Sequence, residues 1–352
     1  MDNITKVAGS IKSRDRALMK KTQDRLDNLT KPLGSLGRLE ELAMNIAGMT
    51  AMETPVLKNK VIFTLAGDHG VTDENVSAYP KAVTAQMVYN FLRGGAGINV
   101  LARHAGARVV VVDIGVGEDI KPDHRLIIKK IAYGTRNMAK GAAMTRAEAV
   151  KAIETGIGIF EAELKKGIDI ICTGDMGIGN TTSSSAITAV ITGKPVEEIT
   201  GNGTGIDDKA LLHKIKVIKK ALEVNRPDAG DAIDVLARVG GFEIAGLAGM
   251  ILAAASKRVP VIIDGFISGA AALIAYKIEP KAKEYMIASH CSVEKGHSVI
   301  LEYLGLKPVL NLDLRLGEGT GAALALCIVE AATKVLAEMA TFESAKVSKK
   351  TG

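Results

Sequence analysis

The sequence predicts an α/β fold: a mostly parallel sheet with helices on both faces. Three observations carry this prediction. Short apolar, β-rich runs recur along the chain, longer helical stretches separate them, and glycine with polar residues follows each run. The clearest run, Val109-Val110-Val111-Val112, is apolar at every position, as expected of a parallel strand buried on both sides.

Taken in chain order, residues 1–50 read as helical. Leu36, Leu39, Leu42, Ala43 and Ile46 fall at helical spacing, and Ser35 can cap the helix they form. Strands are predicted at 61–66, 109–113, 168–172, 259–264 and 285–289, with a sixth at 308–312. Helices are predicted between them at 147–159, 209–222, 242–255 and 270–278. Gly240, Gly241, Gly246 and Gly249 allow the helix at 242–255 to pack closely, within the core or against a second copy. From about residue 331 the chain reads as helical and then frayed.

Composition narrows the function classes. With 47% hydrophobic and 24% charged residues, the 352-residue chain is not a disordered one. Trp is absent, aromatics are 3% and Gly is 37 of 352, which points to layers of small aliphatic side chains crossed by tight turns. The net charge of +6 is spread along the chain without aromatic platforms, which argues against nucleic-acid binding. A mildly basic protein suits a small anionic substrate. Cys172, Cys291 and Cys327 are far apart, so no disulfide framework or paired-cysteine metal site is visible. The first six residues lack an apolar signal core. The longest uncharged apolar stretch, 244–256, is shorter than the ~20 residues of a membrane span. The expectation is a cytoplasmic protein with no membrane partner.

The segments after the strands carry the chemistry, because the carboxyl edge of an open α/β sheet is where ligands bind. Residues 174–182 run from a strand into a helix and combine glycines with Asn180, Thr181 and Thr182. Such a loop can cradle phosphate on backbone N–H groups, or be a tight turn with threonine caps. A second Gly/Thr loop, residues 200–208, opens a helix carrying Lys214, either a phosphate partner or a solvent-facing lysine. Glu318 lies between Gly317 and Gly319, just ahead of the apolar helix 322–330. It is a candidate general base kept ionised by the helix dipole, or simply a charge at a helix start. His69 beside Asp68 is a metal-binding or acid/base pair or, since no second His or Cys lies at ligand spacing, a structural hydrogen-bonded pair, the reading favoured here. His290 and His297, seven residues apart, do not match common zinc spacing, and no metal is assigned.

Several segments together resemble one family. They are Lys31-Pro32-Leu33-Gly34-Ser35-Leu36-Gly37-Arg38-Leu39-Glu40, Gly67-Asp68-His69-Gly70-Val71, Val76-Ser77-Ala78-Tyr79-Pro80 with Val83-Thr84-Ala85-Gln86-Met87, and Gly134-Thr135-Arg136-Asn137-Met138. Further on come Met176-Gly177-Ile178-Gly179-Asn180-Thr181-Thr182, Gly203-Thr204-Gly205, Asp264-Gly265-Phe266 and Arg315-Leu316-Gly317-Glu318-Gly319-Thr320-Gly321. In this order, over nearly the whole chain, they resemble the nicotinate-nucleotide:5,6-dimethylbenzimidazole phosphoribosyltransferases. The resemblance implies a Rossmann-like large domain at 51–330, a small helical domain built from 1–50 and 331–352, and a homodimer. It implies nicotinate mononucleotide and 5,6-dimethylbenzimidazole as substrates, no cofactor, and inversion at the ribose. Glu318 falls on the family's base; Ser77, Gln86 and Leu316 would face the benzimidazole. Asp175, Gly177, Ile178, Asn180, Thr181, Gly203, Thr204, Lys214 and Ser292 would hold the nucleotide and its phosphate. Asp175 stands where the family commonly has Glu, and Asn202 and Cys291 where Arg is frequent. The rival readings are the same transfer to another base, such as adenine or a phenol, and a non-catalytic nucleotide sensor.

Overall fold

The computed structural model describes residues 2–203 and 205–348. Six parallel strands form one sheet: β1 (Lys60–Gly67), β2 (Arg108–Gly115), β3 (Leu126–Ile128), β4 (Ile170–Met176), β5 (Val261–Ile263) and β6 (Met286–Ala288). Their order is β3-β2-β1-β4-β5-β6, so the chain builds outward on one side of β1 and then on the other. The reversal between β1 and β4 opens a crevice at the strands' carboxyl ends. β2 is buried along most of its length, as its valine run predicts.

The sheet differs from expectation at one edge. Residues 308–312 do not form a strand; Leu310 makes a single parallel bridge to His290. Pro308 has no N–H to give to a ladder, and the segment follows the end of β6 through Val309 and Leu310 alone. The sixth strand is instead β3, three residues paired with Val111–Asp113 of β2. Such a strand is too short to leave a period in the sequence.

Helices cover both faces. Phe242–Ser256 packs against Arg146–Leu164, and the glycines make this possible within one chain. A Cβ at Gly156 would strike the Gly246 carbonyl, and one at Gly249 would strike the Ile153 carbonyl. Helices Arg16–Asp27 and Arg38–Thr50 pack on each other and on the last helix, Thr320–Glu338. Thr30 N–H donates to the Ala340 carbonyl at 3.0 Å and Phe342 N–H to that of Asn28 at 3.0 Å, joining the two ends of the chain. Ser35 does not cap its helix: Gly37 takes the cap position at φ +50°, and the Glu40 carboxylate accepts from Leu36 N–H at 2.9 Å. Thr320–Glu338 is long and apolar enough to cross a bilayer by composition, yet it packs on Arg38–Thr50, on Gly97–Ala105 and under β4 and β5. It is an inner helix of the fold.

Candidate active site

A cleft lies at the carboxyl ends of β4, β5 and β6. It is lined by the loops 175–181, 265–267 and 315–317, with Gly203, His290, Ser292 and Glu294. Asp264, at the end of β5 and fully buried, organises one wall. Its carboxylate accepts from Gly319 N–H at 3.2 Å and from Ala322 N–H at 2.9 Å, the start of Thr320–Glu338. Gly321 and Gly265 N–H also point at it. Burial nevertheless pushes this carboxyl up to about 7.

Glu318 sits immediately before that helix with φ +63°, a backbone conformation unusual for a side-chain-bearing residue. Its carbonyl accepts from the Thr64 hydroxyl at 3.0 Å, and a Cβ at Gly174 would strike the same carbonyl. Glycine at 174 is therefore required for the loop to lie against β4. The Glu318 side chain turns away from its own helix. Its Oε2 accepts from Ile98 N–H at 3.0 Å, in the first turn of helix Gly97–Ala105. The dipole acting on it thus belongs to a different helix from the one expected. Burial raises its pKa, partly offset by the Ile98 N–H, so the carboxylate is a stronger base than an exposed one.

Behind Thr181 and Gly203 of the cleft wall, Lys214 is buried rather than solvent-facing. Its Nζ donates to Thr181 Oγ1 at 2.8 Å. A Cβ at Gly203 would lie 3.1 Å from that Nζ and 3.0 Å from the Thr181 hydroxyl, so the two Gly/Thr loops converge on one ammonium group. Desolvation lowers the lysine to about 8, against the pull of Glu294. Glu294 is itself buried, and its Oε2 has no hydrogen-bond partner among the described residues. Ser292 stands beside it, its hydroxyl accepting from Glu294 N–H at 3.3 Å. Thr204 lies outside the described residues.

Asp175, at the end of β4, separates the two ends. Asn180 Nδ2 donates to its Oδ2 at 2.9 Å, while Oδ1 has no partner among the described residues. Burial first, then the nearby Asp264 and Glu243, raises its pKa well above the carboxylate range. Gly177 and Ile178 line the same cleft, but each also has a packing role. A Cβ at 177 would strike the Gly67 carbonyl, and Ile178 N–H donates to Thr84 Oγ1 at 3.1 Å. Asn202, one of the positions where Arg is frequent, closes its own loop by donating to the Ile206 carbonyl at 2.8 Å.

The expected benzimidazole residues are less closely gathered. Leu316 is 60% exposed on the cleft rim, and a Cβ at Gly97 would meet its methyl at 2.9 Å, so it stands beside Glu318. Gln86 is exposed on helix Val83–Arg93. Ser77 is half-buried in the preceding segment, its hydroxyl accepting from Tyr79 N–H at 3.2 Å.

Sequence reasoning missed the buried polar frame around these groups. His69 pairs not with Asp68 but with Glu243, Nε2 to Oε1 at 2.6 Å, and its Nδ1 lies 3.0 Å from the Ser183 hydroxyl. Asp68 instead accepts from Gly117 N–H at 2.7 Å. His290 and His297 are packed rings 5.7 Å apart, and burial lowers them to about 4 and about 3. Among the described residues, no group of three or more His, Cys, Asp or Glu is arranged to hold a metal ion.

Comparison with known proteins accords with this arrangement. A family model described as Phosphoribosyltransferase matches residues 11–347. The chain is 58% identical to the nicotinate-nucleotide–dimethylbenzimidazole phosphoribosyltransferase of Desulforudis audaxviator, over 99% of each chain. It is 57% identical to the protein of the same name from Geobacter sp. strain M21, over 99% of this chain and 100% of that one. The crystal structure of the Thermus thermophilus enzyme of that name superimposes with a TM-score of 0.91 at 41% identity, covering 96% of this chain and 100% of the other. The chain belongs to the nicotinate-nucleotide–dimethylbenzimidazole phosphoribosyltransferase family.

Proposed function

We propose that the protein transfers ribose 5-phosphate from nicotinate mononucleotide to 5,6-dimethylbenzimidazole, with Glu318 as general base. The products are nicotinate and α-ribazole 5′-phosphate, the lower-ligand nucleotide of cobalamin. The observation that carries this reading is the polarity of one cleft. A buried carboxylate, Glu318, directly follows the lining residues 315–317, and a buried ammonium, Lys214, lies behind the lining residues Thr181 and Gly203.

The chemistry follows from that polarity. One benzimidazole nitrogen attacks the anomeric carbon from the face opposite the leaving pyridine, so the centre inverts. The bond to the pyridinium nitrogen breaks, and its electron pair neutralises the ring as nicotinate departs. No proton is needed at that end. Positive charge spreads over the benzimidazole as its new bond forms, and its remaining N–H becomes acidic. A carboxylate in reach accepts that proton and stabilises the developing charge. At the far end, Lys214, Thr181 and Ser292 anchor the phosphate, with the Gly203 backbone close against them. Asp175, Gly177, Ile178 and Asn180 bound the space between. Leu316, with Ser77 and Gln86, would contact the acceptor ring.

The same reading takes the protein as a cytoplasmic homodimer. It also treats residues 1–50 and 331–352 as one helical unit, supported by the hydrogen bonds between residues 28–30 and 340–342. The test of the reaction is Glu318→Gln, which keeps the size and removes the base. Loss of a general base costs roughly 10²–10⁴-fold, expected in kcat with little change in nucleotide KM. Near-normal kcat at neutral pH would remove Glu318 from the role. Acceptor panels with adenine and phenols, read by nicotinate release, separate the rival transfers.

A further inference from the structure

Among the cleft groups without a role in the proposed mechanism is His290, 3% exposed, which lines the cavity with Gly265 and the 315–317 loop. Its tautomer is fixed by counting protons. Ser289 Oγ donates to the Asp264 carbonyl at 2.8 Å and lies 2.8 Å from His290 Nδ1. A serine hydroxyl has one proton, and a carbonyl can only accept. The serine proton therefore goes to Asp264, and Nδ1 must carry the hydrogen that it donates to Ser289. Nε2 is left as a bare lone pair, with no hydrogen-bond partner among the described residues.

The ring has little freedom to do anything else. A Cβ at Gly321 would strike Nδ1, and one at Gly265 would lie 3.5 Å from Cε1. The first turn of Thr320–Glu338 thus holds the imidazole on one side and β5's end on the other. Burial keeps it neutral, its pKa lowered to about 4, so it stays an acceptor throughout the neutral range.

The ligand chemistry follows from what can donate to that lone pair. The reading under Proposed function, on which this step rests, puts nicotinate mononucleotide in the cleft. Its carboxylate is ionised and its pyridinium nitrogen has no hydrogen. Its phosphate is largely dianionic above a second pKa of ~6. Only the two ribose hydroxyls remain as donors. We infer that His290 Nε2 accepts a hydrogen bond from a ribose hydroxyl of the nucleotide. It thereby fixes the sugar between the phosphate anchor at Lys214 and the base at Glu318. His290 is then a specificity-determining residue for ribose over deoxyribose, and Ser289 is the positioning residue that sets its tautomer.

The test crosses substrate and protein. Nicotinate mononucleotide and its 2′-deoxy and 3′-deoxy analogues are offered to the unaltered enzyme, to His290→Leu and to His290→Gln, with dimethylbenzimidazole as acceptor. In the unaltered enzyme one deoxy analogue should lose about tenfold in kcat/KM, the effect of leaving a buried acceptor unpaired. His290→Leu should lose about as much with the ribonucleotide and then no longer distinguish that deoxy analogue. His290→Gln, whose amide oxygen can replace the Nε2 lone pair, should recover much of the distinction. The inference is overturned if the unaltered enzyme accepts both deoxy analogues equally well, an arm that needs no variant to fold. It is also overturned if His290→Leu distinguishes them as the unaltered enzyme does. Absence of nicotinate release from the ribonucleotide itself, in the unaltered enzyme, would instead overturn the reaction assignment.

Discussion

Two helices open onto the cleft from similar starts and meet different surroundings. Asn180–Thr192 and Thr320–Glu338 each follow a glycine in the left-handed region, Gly179 at φ +92° and Gly319 at φ +101°, and neither glycine can offer a side-chain cap. Asp264 supplies the missing cap to the second helix from the end of β5. Among the described residues, no carboxylate accepts from the first-turn N–H groups of the other. There Asp175 accepts from the side chain of Asn180 instead, and Lys214 stands over Thr181. A helix start attracts negative charge. One such pole is neutralised inside the fold and serves to fix the loop that carries Glu318; the other, on the proposed reading, is left for an anion that arrives with substrate and forms the phosphate end.

The largest effect should come from giving the second helix the first one's condition. Asp264→Asn replaces an acceptor pair with a group whose NH₂ faces backbone N–H donors. It removes the cap at the start of Thr320–Glu338, and such a cap is worth roughly 0.5–2 kcal/mol. Stability in urea should fall by roughly 0.5–2 kcal/mol, and Glu318 should lose its position, lowering kcat. An unchanged unfolding midpoint and kcat would mean that Asp264 does not hold the loop.

A smaller effect sharpens the open end through pH. Burial lowers Lys214 to about 8 in the free protein. The bound phosphate favours the ammonium form, so binding takes up a proton wherever the free lysine has lost one. Nucleotide affinity should therefore be flat between the phosphate's second pKa of ~6 and about 8, and weaken as pH rises through the latter. Affinity that stays flat well above that pH would place the phosphate elsewhere.

The smallest effect concerns the residue between the two ends. Asp175→Glu should keep activity, while Asp175→Ala should lose more, since it deletes the acceptor that holds Asn180 at the helix start. Equal kcat/KM in all three proteins would show that this carboxyl positions nothing.

How much of this was legible in the sequence depends on range. The valine run of β2 and the glycine loops declared themselves locally, and they pointed to the sheet and the edge where ligands gather. Lys214 reads as solvent-facing only if its helix is ignored. With Val217, Ile218, Ala221 and Asn225 it forms the buried stripe of Asp208–Asn225, at a helical spacing that the sequence itself displays. The remaining frame was out of reach. His69 finds Glu243 across 174 positions, and Glu318 finds Ile98 across 220, so no local pattern announces either pair. The His290 tautomer depends on a serine next door and a carbonyl 25 residues from that serine, visible only once β5 and β6 lie side by side.

The most direct test of the division between the two ends is nucleotide binding without acceptor, measured by calorimetry on Lys214→Met and Glu318→Gln. A charge-assisted hydrogen bond is worth roughly 1.5–3 kcal/mol, so Lys214→Met should bind nicotinate mononucleotide about tenfold to a hundredfold more weakly than the unaltered protein. Glu318→Gln should bind it with unchanged affinity, because its task begins only when the benzimidazole attacks. Unchanged affinity in Lys214→Met, or a comparable loss in Glu318→Gln, would contradict a cleft divided into a phosphate end and a base end.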